Sequence, residues 1–236
     1  MTTVIAHRGA SGTAPENTLA AFVRAERLGA HMIELDVQLA ADGAVVVLHD
    51  DSVDRTTDGH GRLCAYTLAE LRTFDAGGWF APEFAGERIP TLDEVLAAVA
   101  LPVNVELKRG GGAALGERAL ESVRAVRALE RVVFSSFDHG ALQRLRGLSS
   151  EAQIAVLWAG RGTGRPLGAA RRVAARALHL RTTGATLRAV SAVRDAGLDV
   201  RVWTVNDPEE WRVFERRGAS AVFTDFPERF LQTPLC

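Results

Sequence analysis

Cysteine is almost missing from this chain: Cys64 and Cys236 are the only two in 236 residues, far apart and without a CxxC partner. That excludes a disulfide framework and a cysteine-based zinc site, and leaves room for one bridge at most. Long hydrophobic runs are missing as well. No stretch approaches the roughly 20 apolar residues of a membrane-spanning helix. The opening Met1-Thr2-Thr3-Val4-Ile5-Ala6 has neither the charged region nor the apolar stretch of a secretory signal. The expected setting is therefore the cytoplasm, with no integral membrane segment. Charge of one sign is also lacking: 28 Lys and Arg face 29 Asp and Glu, for a net charge of -1. No global basic field draws the chain to nucleic acid or to anionic membranes. The doublets Arg171-Arg172 and Arg216-Arg217 fall in helical patterns and read as solvated faces. Several chemical signatures are absent too. There is no Gly-Lys-Ser/Thr of a Walker A loop, Gly160-Arg161-Gly162-Thr163-Gly164 lacks dinucleotide spacing, and no G-x-S-x-G elbow occurs.

What is present is alternation. Short β-branched runs occur at 3–6, 32–37, 103–107, 132–135, 154–157, 177–180, 200–205 and 221–224. Between them lie segments of helical apolar spacing at 18–28, 92–99, 115–129, 141–145, 169–175, 187–196 and 208–216, with a short turn after Pro227. Repeated strand–helix units predict a parallel sheet covered by helices, and eight of them predict a closed (β/α)8 TIM barrel formed by one domain over 1–236. A doubly wound open sheet is the rival topology. With 47% hydrophobic residues, a chain of this length buries a large core without staples.

One stretch breaks the rhythm. Asp42-Gly43 separates the second run from 45–48, which is a hairpin signal and predicts an extra antiparallel strand beside the second barrel strand. Residues from about 50 to 88 then hold many Gly, Asp and aromatic residues and one short helical pattern, 68–73. They are expected to form an insertion capping the barrel mouth, packed through Trp79, Phe80 and Phe84.

Chemistry-bearing residues collect at strand ends, where barrel enzymes place their sites. Strand side chains alternate between faces, so Glu34 and Asp36 share one face while Ile33, Leu35 and Val37 share the other. The acidic face must point into the barrel, with Glu106 repeating the pattern on the next barrel strand. Converging buried carboxylates repel unless a cation with a taste for oxygen ligands holds them. His7 and His49 also stand where strands are expected to end and can supply an acid and a base near neutral pH. Together these groups describe a metal-assisted acid–base site for a phosphate ester. Lys108 is the only lysine of the chain. In so arginine-rich a composition, it marks a position that wants a compact ammonium, partnered by phosphate oxygen or a neighbouring carboxylate. Gly110-Gly111-Gly112 is either a helix start open to phosphate or a flexible connector. His31, His60, His139 and His179 have no acidic constellation around them in the sequence and read as structural or surface residues.

The segment His-Arg-Gly-Ala-Ser-Gly-Thr-Ala-Pro-Glu-Asn-Thr (7–18) resembles the opening signature of glycerophosphodiester phosphodiesterases. Ile-Glu-Leu-Asp-Val (33–37), Val-Val-Leu-His-Asp (46–50), Ile-Pro-Thr-Leu-Asp-Glu-Val-Leu (89–96), Val-Glu-Leu-Lys (105–108), Val-Trp-Thr-Val-Asn (202–206) and Thr-Asp-Phe-Pro (224–227) continue the resemblance in order, over essentially the whole chain. It implies a (β/α)8 barrel with a small insertion after the second strand. It also implies hydrolysis of glycerophosphodiesters to glycerol 3-phosphate and an alcohol, with one divalent cation, Ca2+ or Mg2+. By the resemblance His7 and His49 are the acid–base pair, Glu34, Asp36 and Glu106 the metal ligands, Arg8 and Lys108 groups near the phosphate, and Trp203 a wall of the glycerol pocket. The mechanism that fits has the glycerol 2-hydroxyl attack phosphorus to give a cyclic phosphodiester. One histidine takes its proton, the other protonates the leaving alcohol, and the roles reverse as water opens the ring. The sequence does not say which histidine is which.

Two alternatives stand beside this. A phosphodiesterase for a larger lipid, such as a lysophospholipid, needs an apolar entrance, which Trp79, Phe80 and Phe84 are placed to supply. A non-catalytic phosphate-ligand barrel should have lost a histidine or a carboxylate, and none is lost. The expected partner is a small-molecule glycerophosphodiester, and no residue pattern fixes an oligomeric state. Residues 157–181 resemble the family least, so the alcohol preference is left open.

Overall fold

The protein is described by a computed structural model covering residues 3–231. Nine strands run in chain order: β1 (Thr3–Ala6), β2 (Met32–Leu39), β3 (Val45–Val47), β4 (Val103–Leu107), β5 (Val132–Ser136), β6 (Gln153–Trp158), β7 (Ala177–Arg181), β8 (Asp199–Trp203) and β9 (Ala221–Thr224). Eight of them are parallel and close into a barrel, because β1 pairs with both β9 and β2. The ninth, β3, runs antiparallel to the end of β2, with Val37 opposite Val47 and Leu39 opposite Val45. Among the described residues the α-helices are α1 (Leu19–Arg27), α2 (Leu68–Leu71), α3 (Leu92–Ala98), α4 (Gly112–Ala125), α5 (His139–Leu148), α6 (Gly164–Arg172), α7 (Leu187–Asp195) and α8 (Pro208–Arg217). The closed barrel, rather than an open sheet, is the architecture, and no helix among the described residues is long and apolar enough to cross a membrane.

The period-2 alternation of each strand divides the core into two layers. Ile33, Leu35, Val37, Val105, Leu107, Phe134, Ile154, Val156, Leu178 and Val202 pack outward with helix residues such as Phe22, Leu115, Leu142 and Phe214. Ile5, Met32, Val133, Ala155, Ala177, Ala221 and Phe223 form a smaller inner layer, with Trp203 against it. Burying an aliphatic side chain contributes roughly 1.5–3 kcal/mol, so the outer layer dominates stability and the inner strand ends are free to carry polar groups.

Helix boundaries differ from the apolar pattern where polar chemistry sets them. α5 begins at His139 because Asp138 accepts from the N–H groups of Gly140 and Ala141, ahead of the first apolar residue. α6 starts at Gly164, five residues before the apolar repeat, with Pro166 in its first turn, where the missing N–H has no helical acceptor to lose. It stops at Arg172 because Ala174 takes φ 46° and Ala175 N–H donates back to Ala170 O. That is a glycine-type stop made by alanine, invisible to a glycine search. α4 begins at Gly112, so the triple glycine serves as the helix start. β8 ends at Trp203, two residues short of the apolar run.

The segment between β3 and α3 holds α2 and two 3-10 turns, Leu63–Ala65 and Pro82–Phe84. It has its own small core, in which Val53, Leu63, Leu71, Ala76 and Ile89 pack on Ala40, Val46 and Leu48 of the hairpin. Trp79, Phe80 and Phe84 stack edge to face with centroids 5.6 Å apart in each step. Cys64 is exposed, and Cys236 lies outside the described residues. Arg171, Arg172 and Arg216 are exposed as expected. Arg217 instead donates to Ala185 O and lies over the Phe214 ring.

Candidate active site

The site is built at the carboxyl ends of β1, β2 and β4 and the turns that follow. After Ala6 the chain turns through Arg8 at φ 57° and Gly9 at φ 81°. A Cβ on Gly9 would sit 2.6 Å from the backbone carbon of Ala21, so only glycine fits. The turn aims the Arg8 N–H at Glu34 Oε2, 2.9 Å away. It also directs the Arg8 guanidinium to Glu16 Oε1 at 2.8 Å and Asp36 Oδ2 at 3.3 Å. Glu16 receives two further bonds from Arg55 of the insertion, each 2.8 Å. Asn17, also left-handed at φ 59°, donates to Asp36 Oδ2 and accepts from the Asp36 N–H. Thr18 caps α1 by accepting from the Ala21 N–H. The Pro-Glu-Asn-Thr piece of the sequence is thus a positioning device: Glu16 fixes the arginines, Asn17 fixes Asp36, and Thr18 starts the helix.

Glu34, Asp36 and Glu106 are 3%, 1% and 9% exposed, and they offer oxygens that all lie within 4.8 Å of one another. Asp36 sits opposite Glu106 in the β2–β4 register. Burial, and then the charge of Asp36, push Glu34 up to about 8 and Glu106 up to about 7. Asp36 itself stays well below the usual carboxylate range. Burial opposes its charge, but Lys108, Arg8 and His49 together with the Asn17 hydrogen bond outweigh burial. Lys108 Nζ lies 3.0 Å from Glu106 Oε1 and 3.3 Å from Asp36 Oδ1, so the lone lysine has carboxylate partners.

His7 and His49 are each held at Nδ1 by a carboxylate that the sequence did not single out. Asp225 Oδ1 is 2.7 Å from His7 Nδ1, and Asp50 Oδ1 is 2.6 Å from His49 Nδ1. Asp225 is itself fixed by Asn206 Nδ2 at 2.7 Å, and Asp50 by Arg55 Nε at 2.6 Å. The environments push the two histidines apart. Burial opposes protonation of His7, but the Asp225 hydrogen bond and the Glu34 charge win, and its pKa is raised. Burial, with Arg8 and Lys108 beside it, wins over Asp36 and Asp50 at His49, and its pKa is lowered. Asp225 and Asp50 each fall to about 2: the His7 bond overcomes burial in the first, and the Arg55 bond leads in the second.

A cavity of ≈ 110 Å³ gathers His7, Arg8, Glu34, His49, Glu106, Lys108 and Trp203 around one space. Its other side is apolar, made by Phe137, Leu157, Trp203 and Phe223, with Phe137 and Trp203 edge to face at 5.6 Å. Trp79, Phe80 and Phe84 are not among its lining residues. Of the four remaining histidines, His31 accepts from the Val4 N–H and His139 bonds Leu157 O. His60 is exposed, and it has an acid beside it after all: its Nδ1 lies 3.5 Å from Asp54. His179 is fully buried and also lines the cavity.

The donor set suits a hard divalent cation. Three carboxylates converge, two of them are driven toward protonation by burial and then by the charge of Asp36, and among the described residues the cluster contains only carboxylates.

The glycerophosphoryl diester phosphodiesterase family matches residues 7–229, and the chain belongs to that family. It is 40% identical over 235 residues to the glycerophosphodiester phosphodiesterase of Caldanaerobacter subterraneus subsp. tengcongensis, covering 98% of this chain and 96% of that one. It is 35% identical to the glycerophosphodiester phosphodiesterase of Bacillus altitudinis, covering 97% and 96%. Among solved structures, a phosphodiesterase of Oleispira antarctica in complex with the product sn-glycerol-3-phosphate superposes with a TM-score of 0.90 at 32% identity, covering 97% and 95%. The glycerophosphodiester phosphodiesterase of Thermotoga maritima superposes with a TM-score of 0.81 at 29% identity, covering 98% and 97%.

Proposed function

We propose that the protein hydrolyses glycerophosphodiesters to glycerol 3-phosphate and an alcohol through a cyclic phosphodiester, with His49 as the first base and His7 as the first acid. The observation that carries this is the pair of carboxylate-held histidines of opposite pKa direction, lining one cavity with Glu34, Glu106, Arg8 and Lys108. Pairs of titratable groups whose surroundings push them apart mark acid and base. The product held by the Oleispira relative supports the same outcome.

With Nδ1 of each ring bonded to a carboxylate, Nε2 is the nitrogen left to act. His49, kept neutral, takes the proton of the glycerol 2-hydroxyl as that oxygen attacks phosphorus. His7, whose surroundings favour its protonated form, delivers its proton to the departing alcohol oxygen. The alcohol then leaves room for water, which His7, now neutral, deprotonates, while His49 returns its proton to the 2-oxygen as the ring opens. Arg8 and Lys108 hold positive charge beside the phosphoryl oxygens and stabilise the charge that grows there. Trp203 supplies an apolar wall for the carbon chain of glycerol. A Ca2+ or Mg2+ ion held by Glu34, Asp36 and Glu106 would supply Lewis acidity that offsets phosphate charge.

A panel of diesters tests this. Glycerophosphocholine and glycerophosphoethanolamine should release glycerol 3-phosphate, the corresponding lysophospholipids should react far more slowly, and the 2-deoxy analogue of glycerophosphocholine should not react. Equal turnover of the 2-deoxy analogue would remove the cyclic intermediate. Faster turnover of lysophospholipids would move the substrate to the larger lipids.

A further inference from the structure

Six buried side-chain polar atoms have no hydrogen-bond partner among the described residues, and three of them belong to Asn104 and His179. Both residues line the active cavity. An unsatisfied buried polar atom costs roughly 1–3 kcal/mol, so two such residues at one cavity demand an explanation. Asn104 precedes Glu106 by two on β4 and shares its face, while His179 is on β7, opposite Arg201 in register. The Asn104 amide nitrogen is spent on Ser135 Oγ at 2.9 Å, which leaves its carbonyl oxygen as an open acceptor. His179 packs on Phe223 with centroids 4.9 Å apart, and its backbone oxygen accepts from Trp203 Nε1 at 3.2 Å. Burial, followed by the nearby Arg201 charge, keeps the imidazole neutral, with one nitrogen a donor and the other an acceptor.

An open acceptor and a donor–acceptor ring, walled by Phe137, Leu157, Trp203 and Phe223, suit one chemistry. A neutral hydroxyl both gives and takes a hydrogen bond, and it suffers no loss from apolar neighbours that an ion would. Glycerol carries such a group: with one oxygen esterified and the 2-hydroxyl engaged at phosphorus, its terminal hydroxyl is still unclaimed. We propose that His179, assisted by Asn104, is the specificity residue that binds the terminal hydroxyl of the glycerol moiety in this cavity. This rests on the glycerophosphodiesterase function proposed above and names the residues that make it specific for glycerol. A site built to hydrogen-bond a hydroxyl rejects the analogue that lacks it, because its own polar atoms are then left unpaired.

The test compares choline release from glycerophosphocholine and from the phosphocholine diester of propane-1,2-diol, which keeps the attacking hydroxyl and lacks only the terminal one. Wild type should favour the glycerol diester in kcat/KM by about 10²-fold or more. His179→Phe keeps a ring and removes both nitrogens. It should collapse that ratio to within a few-fold, chiefly by raising KM for glycerophosphocholine. His179→Gln, which keeps a donor and an acceptor, should restore part of the preference. A folded His179→Phe enzyme with the full wild-type ratio would overturn the proposal, as would a wild-type ratio near one, the outcome expected if these atoms merely hold an internal water. The wild-type ratio decides even if His179→Phe does not fold. Failure of the wild type on both diesters would instead strike the proposed function, so the two failures are distinguishable.

Discussion

His7 and Asp225, 218 residues apart in the chain, meet through a 2.7 Å contact between Nδ1 and Oδ1. The bond closes the barrel chemically as the pairing of β1 with β9 closes it structurally. It also works against the burial that would otherwise keep His7 neutral.

Asp225→Asn should therefore lower the His7 pKa and with it the pH at which activity fades. His7 acts protonated, so its raised pKa sets the alkaline limb of kcat/KM, whereas His49, acting neutral with a lowered pKa, sets the acid limb. The variant should lose on the order of 10-fold or more in turnover, with the alkaline limb displaced to lower pH and the acid limb unmoved. A pH–rate profile checks this; an unshifted alkaline limb would take the acid role from His7.

Removing and restoring the cation should change stability in a pH-dependent way. Glu34 at about 8 and Glu106 at about 7 lie above the roughly 4.3 of an unfolded glutamate. Between those limits the folded metal-free state binds more protons than the unfolded one. Its stability should accordingly rise as pH falls from about 8 toward 5. Added Ca2+ or Mg2+ competes with those protons, so its increment in Tm should be larger at pH 8 than at pH 5. Thermal melts in chelator and in metal read this directly, and an equal increment at both values would place the ion elsewhere.

Lys108→Arg keeps the charge and replaces a compact ammonium by a planar fork. Lys108 Nζ already fits between Glu106 and Asp36, at 3.0 and 3.3 Å. The larger group should crowd both carboxylates, so turnover should drop about 10-fold or more with little loss in Tm. Wild-type turnover in Lys108→Arg would mean that the single lysine is an accident of composition.

Gly9→Ala should destabilise the fold by about 2 kcal/mol or more, because φ 81° and the Ala21 backbone leave no place for a Cβ. Urea denaturation measures it. A loss under about 0.5 kcal/mol would show that the turn after β1 relaxes freely.

Much of this site was legible beforehand because alternation along a strand is a strict period. Glu34, Asp36 and Glu106 could be assigned to the barrel interior from the apolar residues between them. Lys108 stood out by composition alone. The residues that position them were harder to read. Asp225, Glu16 and Asn17 act through contacts with segments distant in sequence, and nothing in the spacing of Asp225 points to His7. Asp50 was adjacent to His49 and could have been paired with it; the Asn17 side chain could have been read from its place in a turn. His179 looked structural because no acid surrounds it in sequence, yet it lines a cavity whose other strand residues come from β2, β4, β6, β8 and β9. The aromatic cluster of the insertion was legible as a packed loop because its aromatics fall close together in a segment otherwise rich in Gly and Asp. Helix ends followed caps and an alanine in the left-handed region rather than the apolar repeat, which is why α6 moved most.

The most direct measurement is glycerol 3-phosphate release from glycerophosphocholine by the metal-loaded protein, by the same protein after thorough chelation, and by His7→Ala and His49→Ala. The account predicts steady release by the loaded protein, loss on chelation with recovery on adding Ca2+ or Mg2+, and a fall of roughly 10²-fold or more in each histidine variant. Full release after chelation, or near-normal release by either histidine variant, would contradict it.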